Sequence, residues 1–252
     1  MRCTFTIAVV LLTGCAVSTV TRTGGRRSHD DDKHDAMGAV MVNGQRTEVH
    51  WSDGDSFTFE SGPYKGQGTR LVGYNTLEAY GPVHRWGSWT REELYTVAKG
   101  GADVAAAKVW ECTTDGDQDA YRRVLVDCPD LALEMVKKGH GLAYAVKGRP
   151  SPKLLDAMHQ AQRAKRGMWA KGVPRGLVTS LHSFAENAGS QYKTSSNRIL
   201  DTRTGEAPLR KHTDNYATCE EVCIETGDDF SCMVYVPFER RYRDQPACLV
   251  GE

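Results

Sequence analysis

His50-Trp51-Ser52-Asp53-Gly54-Asp55-Ser56-Phe57-Thr58-Phe59 and, after a Gly-rich turn, Thr69-Arg70-Leu71-Val72-Gly73-Tyr74-Asn75-Thr76-Leu77-Glu78 form the stretch whose reading decides the fold. Val49, Trp51, Phe57 and Phe59 are strand formers placed around an Asp-Gly-Asp turn, which predicts a hairpin. The turn Ser61-Gly62-Pro63-Tyr64-Lys65-Gly66-Gln67-Gly68 then sends the chain back into a strand ending near Tyr74. One carboxylate (Asp55), one guanidinium (Arg70) and a second carboxylate (Glu78) are thereby placed to converge at one end of a sheet. A hard cation needs oxygen ligands, a phosphate needs a fork of donors, and a water nucleophile needs a base. This stretch supplies all three.

Working outward, residues 39–42 predict a strand running into Asn43-Gly44, a strong turn dipeptide. Residues 47–51, 57–60 and 69–74 predict further strands, and residues 75–87 a loop rich in aromatics (Tyr80, Trp86 and, just beyond, Trp89). Thr90-Arg91-Glu92-Glu93 is a capping box that opens a helix, interrupted at Gly100-Gly101. Residues 108–112 and 123–128 read as two antiparallel strands. Pro129-Asp130 opens a second helix ended by Gly139. Residues 142–146 read as a last strand, and Ser151-Pro152 opens a third helix ended by Gly167. The pattern alone says α+β.

Four segments resemble the staphylococcal-nuclease-like (thermonuclease) family. The family's Asp-Gly-Asp-Thr stands here as Asp53-Gly54-Asp55-Ser56, and its Arg-Leu-x-x-x-Asp-Thr-Pro-Glu as the run from Arg70 to Glu78. Its Asp-x-Tyr-Gly-Arg stands as Asp119-Ala120-Tyr121-Arg122-Arg123, and its closing helix is similar to Gln162-Arg163-Ala164-Lys165-Arg166-Gly167-Met168-Trp169. The resemblance spans about residues 50–171. It implies a five-stranded OB-type β-barrel with three helices over residues 38–172. It also implies hydrolysis of phosphodiester bonds in DNA or RNA with little sequence specificity. Arg70, Glu78 and Arg123 are then the catalytic residues. A Ca²⁺ ion is held by Asp55, the Asn75 side chain and the Thr76 carbonyl, and Tyr121 lies beside the bound phosphate or base. This chain departs from the family at four places. Asn75 replaces a metal-binding carboxylate, so one negative charge is lost. Ser56 stands for Thr, Leu77 for Pro and Arg122 for Gly. These changes imply lowered activity and keep a second reading open: a catalytically weak or inactive OB-fold module that binds nucleic acid or a protein at the cell surface.

Lys plus Arg and Asp plus Glu are both 32 in the 252 residues, so bulk charge offers no general attraction to a polyanion. Any affinity for phosphate has to come from a local cluster. The N-terminus reads as a targeting segment: Arg2, a short apolar run over residues 7–12, then Leu12-Thr13-Gly14-Cys15, which looks like a bacterial lipoprotein cleavage box. The expectation is a signal peptide over residues 1–14 and a lipid anchor at Cys15, hence an exported, membrane-anchored protein; the alternative is a plain secretory signal. Residues 15–37 lack apolar periodicity and read as a tether. Export makes the surroundings oxidising, so Cys112, Cys128, Cys219, Cys223, Cys232 and Cys248 are expected in disulfides. Cys112 and Cys128 flank one hairpin and are expected to pair. The other four are expected to staple a C-terminal extension, residues 173–252, that contacts another protein. Its Cys219 and Cys223 are spaced one helical turn apart, before a strand at residues 231–236. That framework faintly resembles apple/PAN-type modules.

Overall fold

The computed structural model describes residues 36–187, 191, 193–227 and 229–250. The signal, the tether and Cys15 lie outside the described residues. Asn43-Gly44 decides the first fold element. Both residues sit at positive φ (50° and 79°), the pair of left-handed positions that a tight hairpin turn requires. The turn joins β1 (Ala36–Val42) to β2 (Gln45–Trp51) in antiparallel register, with Ala36 opposite Trp51 and Val42 opposite Gln45. On β2, Thr47, Val49 and Trp51 are buried, while Glu48 is exposed and His50 half-buried. β3 (Phe57–Phe59) pairs with β2, and the rings of Trp51, Phe57 and Phe59 stack edge to face at 4.9 and 5.0 Å. Each such pair adds about 1 kcal/mol beyond its buried area.

β4 (Thr69–Leu71) and β5 (Tyr74–Thr76) follow, then β6 (His84–Trp86). The sequence predicts a loop over residues 75–87, yet β5 and β6 lie within it, because their partners come from distant segments. α1 spans Arg91–Ala106 behind the expected capping box. It runs unbroken through Gly100 and Gly101. Gly101 faces Gly54, and an added Cβ would lie in ordinary contact with the Gly54 Cα at 3.7 Å and tightly against Met135 Cε at 3.3 Å. β7 (Trp110–Cys112) lies parallel to β1, and β8 (Val124–Val126) parallel to β4. Cys112 and Cys128 are disulfide-bonded. α2 (Pro129–Lys138) ends at Gly139, which is left-handed at φ 76° and returns its N–H to the last turn. β9 (Gly141–Ala143) pairs with β5, and α3 (Pro152–Arg163) follows.

The architecture is therefore mixed α+β with three α-helices among the described residues. The regular ladders do not close into a barrel: they form separate sheets, with isolated bridges Thr58–Gly68 and Thr113–Asp127 between them.

Beyond residue 172 the chain is more ordered in strands than its polar sequence suggests. β10 (Gly176–Ser180), β11 (Ser195–Asp201) and β12 (Leu209–His212) form one antiparallel sheet. β13 (Glu221–Thr226) and β14 (Asp229–Val234) form a hairpin. The expected helical turn between Cys219 and Cys223 is thus a correction. Val222 and Ile224 alternate inward as a strand, and Cys223 bonds across the hairpin to Cys232. β14 then pairs with β6, Ser231 opposite Trp86. A second hydrophobic cluster joins Tyr80 and Val83 to Val178, Val236 and Leu249, so the C-terminal residues pack on the segment that follows β5.

Candidate active site

The turn between β2 and β3 is built by Asp53. Its Oδ1 accepts from the Asp55 N–H (3.0 Å) and the Ser56 hydroxyl (2.7 Å), an Asx-type turn. Gly54 cannot carry a side chain there, because a Cβ would collide with Met135 of α2 and lie 2.9 Å from the Thr76 methyl. The Leu71 N–H donates to the Asp55 carbonyl at 3.0 Å, which fastens the turn to β4. Asp55 is thereby aimed inward and is only 2% exposed.

Four polar groups close a ring around it. Arg70 of β4 places Nη1 2.7 Å from Asp55 Oδ2, and the same oxygen accepts the Thr76 N–H at 3.1 Å. Arg70 Nη2 donates to Asn75 Oδ1, and Asn75 Nδ2 donates to the Thr76 carbonyl at 2.8 Å. Burial alone would lower the Arg70 pKa, but Asp55 and Asp53 outweigh it and the guanidinium is held above its usual value. Asp53 goes the other way: burial and the charge of Asp55 hold its carboxyl well above the ordinary range, and Ser56 offsets this only in part.

Glu78 lies two residues beyond β5. Burial raises its carboxyl pKa and Asp55 adds to the effect, while Arg241, Arg70 and Arg123 oppose it. Its backbone N–H donates to His84 Nε2 at 3.3 Å, and His84 Nδ1 is buried with no hydrogen-bond partner among the described residues. Burial pushes the His84 imidazole down to about 4. Unfolded, His84 takes up its proton near pH 6.5; folded, only near 4. Stability is accordingly expected to fall as pH drops through that window, by about 3 kcal/mol in full. Urea unfolding at pH 7 and pH 4 measures this. A His84→Gln chain losing as much stability over the same window would assign the loss to other groups.

Arg123, just before β8, is held by Asp119. The carboxylate accepts from Arg123 Nε at 2.8 Å, from Nη2 at 2.7 Å and from the backbone N–H at 3.0 Å. Arg122 beside it sits at φ 65°, the left-handed region that glycine occupies without strain. A non-glycine residue there costs about 1 kcal/mol, and Arg122 is where the family pattern has Gly.

Asp55, Arg70, Asn75, Thr76, Glu78 and Arg123 all line one cavity of about 90 Å³, together with Asp53, Ser56, Leu77 and Tyr242. Tyr121 is not among the lining residues. It is 68% exposed, with its ring 5.6 Å from the Arg123 guanidinium. The structure adds three residues that sequence reasoning did not select: His84, Arg241 and Tyr242. The run Phe238-Glu239-Arg240-Arg241-Tyr242-Arg243 carried a signal for the last two, since cations interleaved with aromatics suit a polyanion with stacking bases.

A polar cleft with two guanidiniums and several carboxylates is the make of a site that handles phosphate esters beside a cation. Residues 69–171 match the family described as Staphylococcal nuclease homologue, and this part of the chain is a domain of that thermonuclease-like family. The match supports a nuclease or a nucleic-acid-binding module of OB-fold type. No curated protein matches the chain.

Proposed function

We propose that the protein is a calcium-dependent nuclease that hydrolyses phosphodiester bonds of DNA or RNA with little sequence specificity. We also propose that it is exported and anchored through a lipid on Cys15, and that residues 38–172 have the five-stranded OB-type barrel fold that the resemblance implies, with the bridges Thr58–Gly68 and Thr113–Asp127 linking its separate ladders. One observation carries the catalytic reading. Asp55, Arg70, Glu78 and Arg123 come from separate segments and line a single cavity.

The donors fit a hard cation. Asp53 and Asp55 bring two carboxylates into one turn, and Asp55, Asn75 and Thr76 line the same cavity with oxygen donors of the kind a hard cation takes. Asp55, Asn75 and Thr76 would hold the ion. Bound Ca²⁺ neutralises a phosphate oxygen and fixes its position. The rest is the work of this chain's side chains. Arg70 and Arg123 donate to the phosphoryl oxygens as charge builds on them. Glu78 takes the proton of the attacking water while the water oxygen bonds to phosphorus and the ester oxygen leaves. Desolvation makes Glu78 a stronger base than a solvated carboxylate, and the charges of Arg241, Arg70 and Arg123 oppose that rise.

The second reading, a weak or inactive binding module with the Cys-rich segment as a protein contact, draws on Asn75. Its amide oxygen is occupied by Arg70 and its amide nitrogen by the Thr76 carbonyl, so this side chain must turn to offer oxygen to a cation. A calcium titration of single-stranded DNA digestion by the intact chain separates the two. Digestion that rises with calcium and stops in EDTA is expected for the nuclease. Asn75→Asp is expected to shift the calcium midpoint down by about tenfold, because a carboxylate restores a charge to the ligand set. Calcium-independent binding without cleavage would establish the module instead.

A further inference from the structure

The C-terminal residues form a strap over the segment that carries Glu78. Arg241 Nε donates to the Val236 carbonyl at 3.1 Å and Nη2 to the Leu181 carbonyl at 3.3 Å. Gln245 Nε2 donates to the Tyr80 carbonyl at 2.9 Å and to the Arg241 carbonyl at 2.6 Å. Leu249 packs so closely on residue 81 that any Cβ there would lie 2.6 Å from its Cδ2. Cys248 is bonded to Cys219. The strap is therefore fixed at several points on both sides of residue 242.

Between those fixed points Tyr242 projects outward. Its ring meets Tyr80 edge-on at 5.9 Å and 73°, which sets its orientation, yet 68% of the residue is exposed. It lines the same cavity as Asp55, Arg70, Glu78 and Arg123. Phe238, on the same strap, is 62% exposed. A large aromatic residue this open contributes little to the core, and its position at the mouth of a phosphate-handling cleft is where a neighbouring nucleobase would lie.

We propose that Tyr242 is a substrate-binding residue: its ring stacks on a base adjacent to the phosphate held by Arg70 and Arg123. Stacking on a side chain needs a base freed from its duplex neighbours, so the favoured substrate is single-stranded nucleic acid. The proposal rests on the nucleic-acid reading above and extends it to residues outside the matched family domain.

The test uses the intact chain with calcium and two labelled single-stranded oligonucleotides, one with all its bases and one with abasic positions flanking the cleavable linkage. Tyr242→Ala is expected to raise KM for the first by about tenfold and leave kcat within twofold. On the abasic oligonucleotide it should behave as the unaltered protein does. Tyr242→Phe keeps the ring and is expected to match the unaltered protein on both. An alanine variant with unchanged KM, a phenylalanine variant as weak as alanine, or an equal loss on the abasic substrate would each overturn the proposal. Binding is read separately by fluorescence anisotropy of the fully based oligonucleotide. If the unaltered protein cleaves neither substrate, the hydrolase reading fails, and anisotropy decides Tyr242. About tenfold weaker binding by the alanine variant upholds the contact, and equal binding, or no binding by either protein, removes it.

Discussion

Replacing Glu78 by Gln is expected to lower kcat on single-stranded DNA by a factor of about 10²–10⁴, with KM changed only a few-fold. The amide keeps the size and shape of the carboxyl but cannot take a proton from water. The bond from Glu78 to His84 uses the backbone N–H and survives the change. Burial already disfavours the Glu78 charge, so a neutral amide should leave the fold as stable as before or slightly more so. Unfolding curves that superimpose, beside a large loss of turnover, locate the defect in the chemistry. Undiminished digestion by the variant would mean that another group is the base or that a contaminant does the cutting.

Arg70→Ala is expected to damage both the fold and the reaction. Asp55 is 3% exposed at its side chain and Arg70 23%, so their ion pair is largely withdrawn from water. Removing the guanidinium strands the Asp55 carboxylate beside Asp53, with the Thr76 N–H as its remaining donor here, and frees the Asn75 amide oxygen. Stripping one partner from a buried pair costs about 3 kcal/mol or more. The lost donor to the phosphoryl oxygens costs a further factor of about 10²–10³ in kcat. Arg70→Lys separates the two effects. An ammonium restores the charge next to Asp55 but has no planar fork to reach Asn75 as well, so stability should recover more than turnover. Urea unfolding and initial rates on the same preparations measure both. An alanine variant as stable and as fast as the parent would show that the ring around Asp55 does not govern the site.

How far the sequence discloses this arrangement depends on the range over which each residue acts. Asn43-Gly44, the Asp53 turn, the Thr90 capping box and Gly139 are local devices, readable because the physics is complete within a few residues. Asp55, Arg70, Glu78 and Arg123 were legible through family spacing, and they line one cavity. Tyr121, selected by the same motif, does lie beside Arg123, but it is exposed and stands outside the lining of that cavity. β5 and β6 escaped notice because each is three residues long and takes its partner from β9 or β14. Cys219 and Cys223 misled because a spacing of four suits a helix, while Val222 and Ile224, which decide for a strand, signal only by alternation. Arg241 and Tyr242 are distant from Glu78 in sequence, and nothing local indicates that the strap folds back. Only the basic-aromatic run at residues 238–243 hinted at a role.

The pairing of β6 with β14 has a consequence for the order of events during synthesis. Trp86 meets Ser231, and Gln245 secures Tyr80, so the side of the cleft that carries Glu78 waits for segments made about 150 residues later. A nascent chain holding every residue of the family match still lacks that side. On the nuclease reading, the cleft would thus take its final shape only after segments well beyond the family-matched residues have been made.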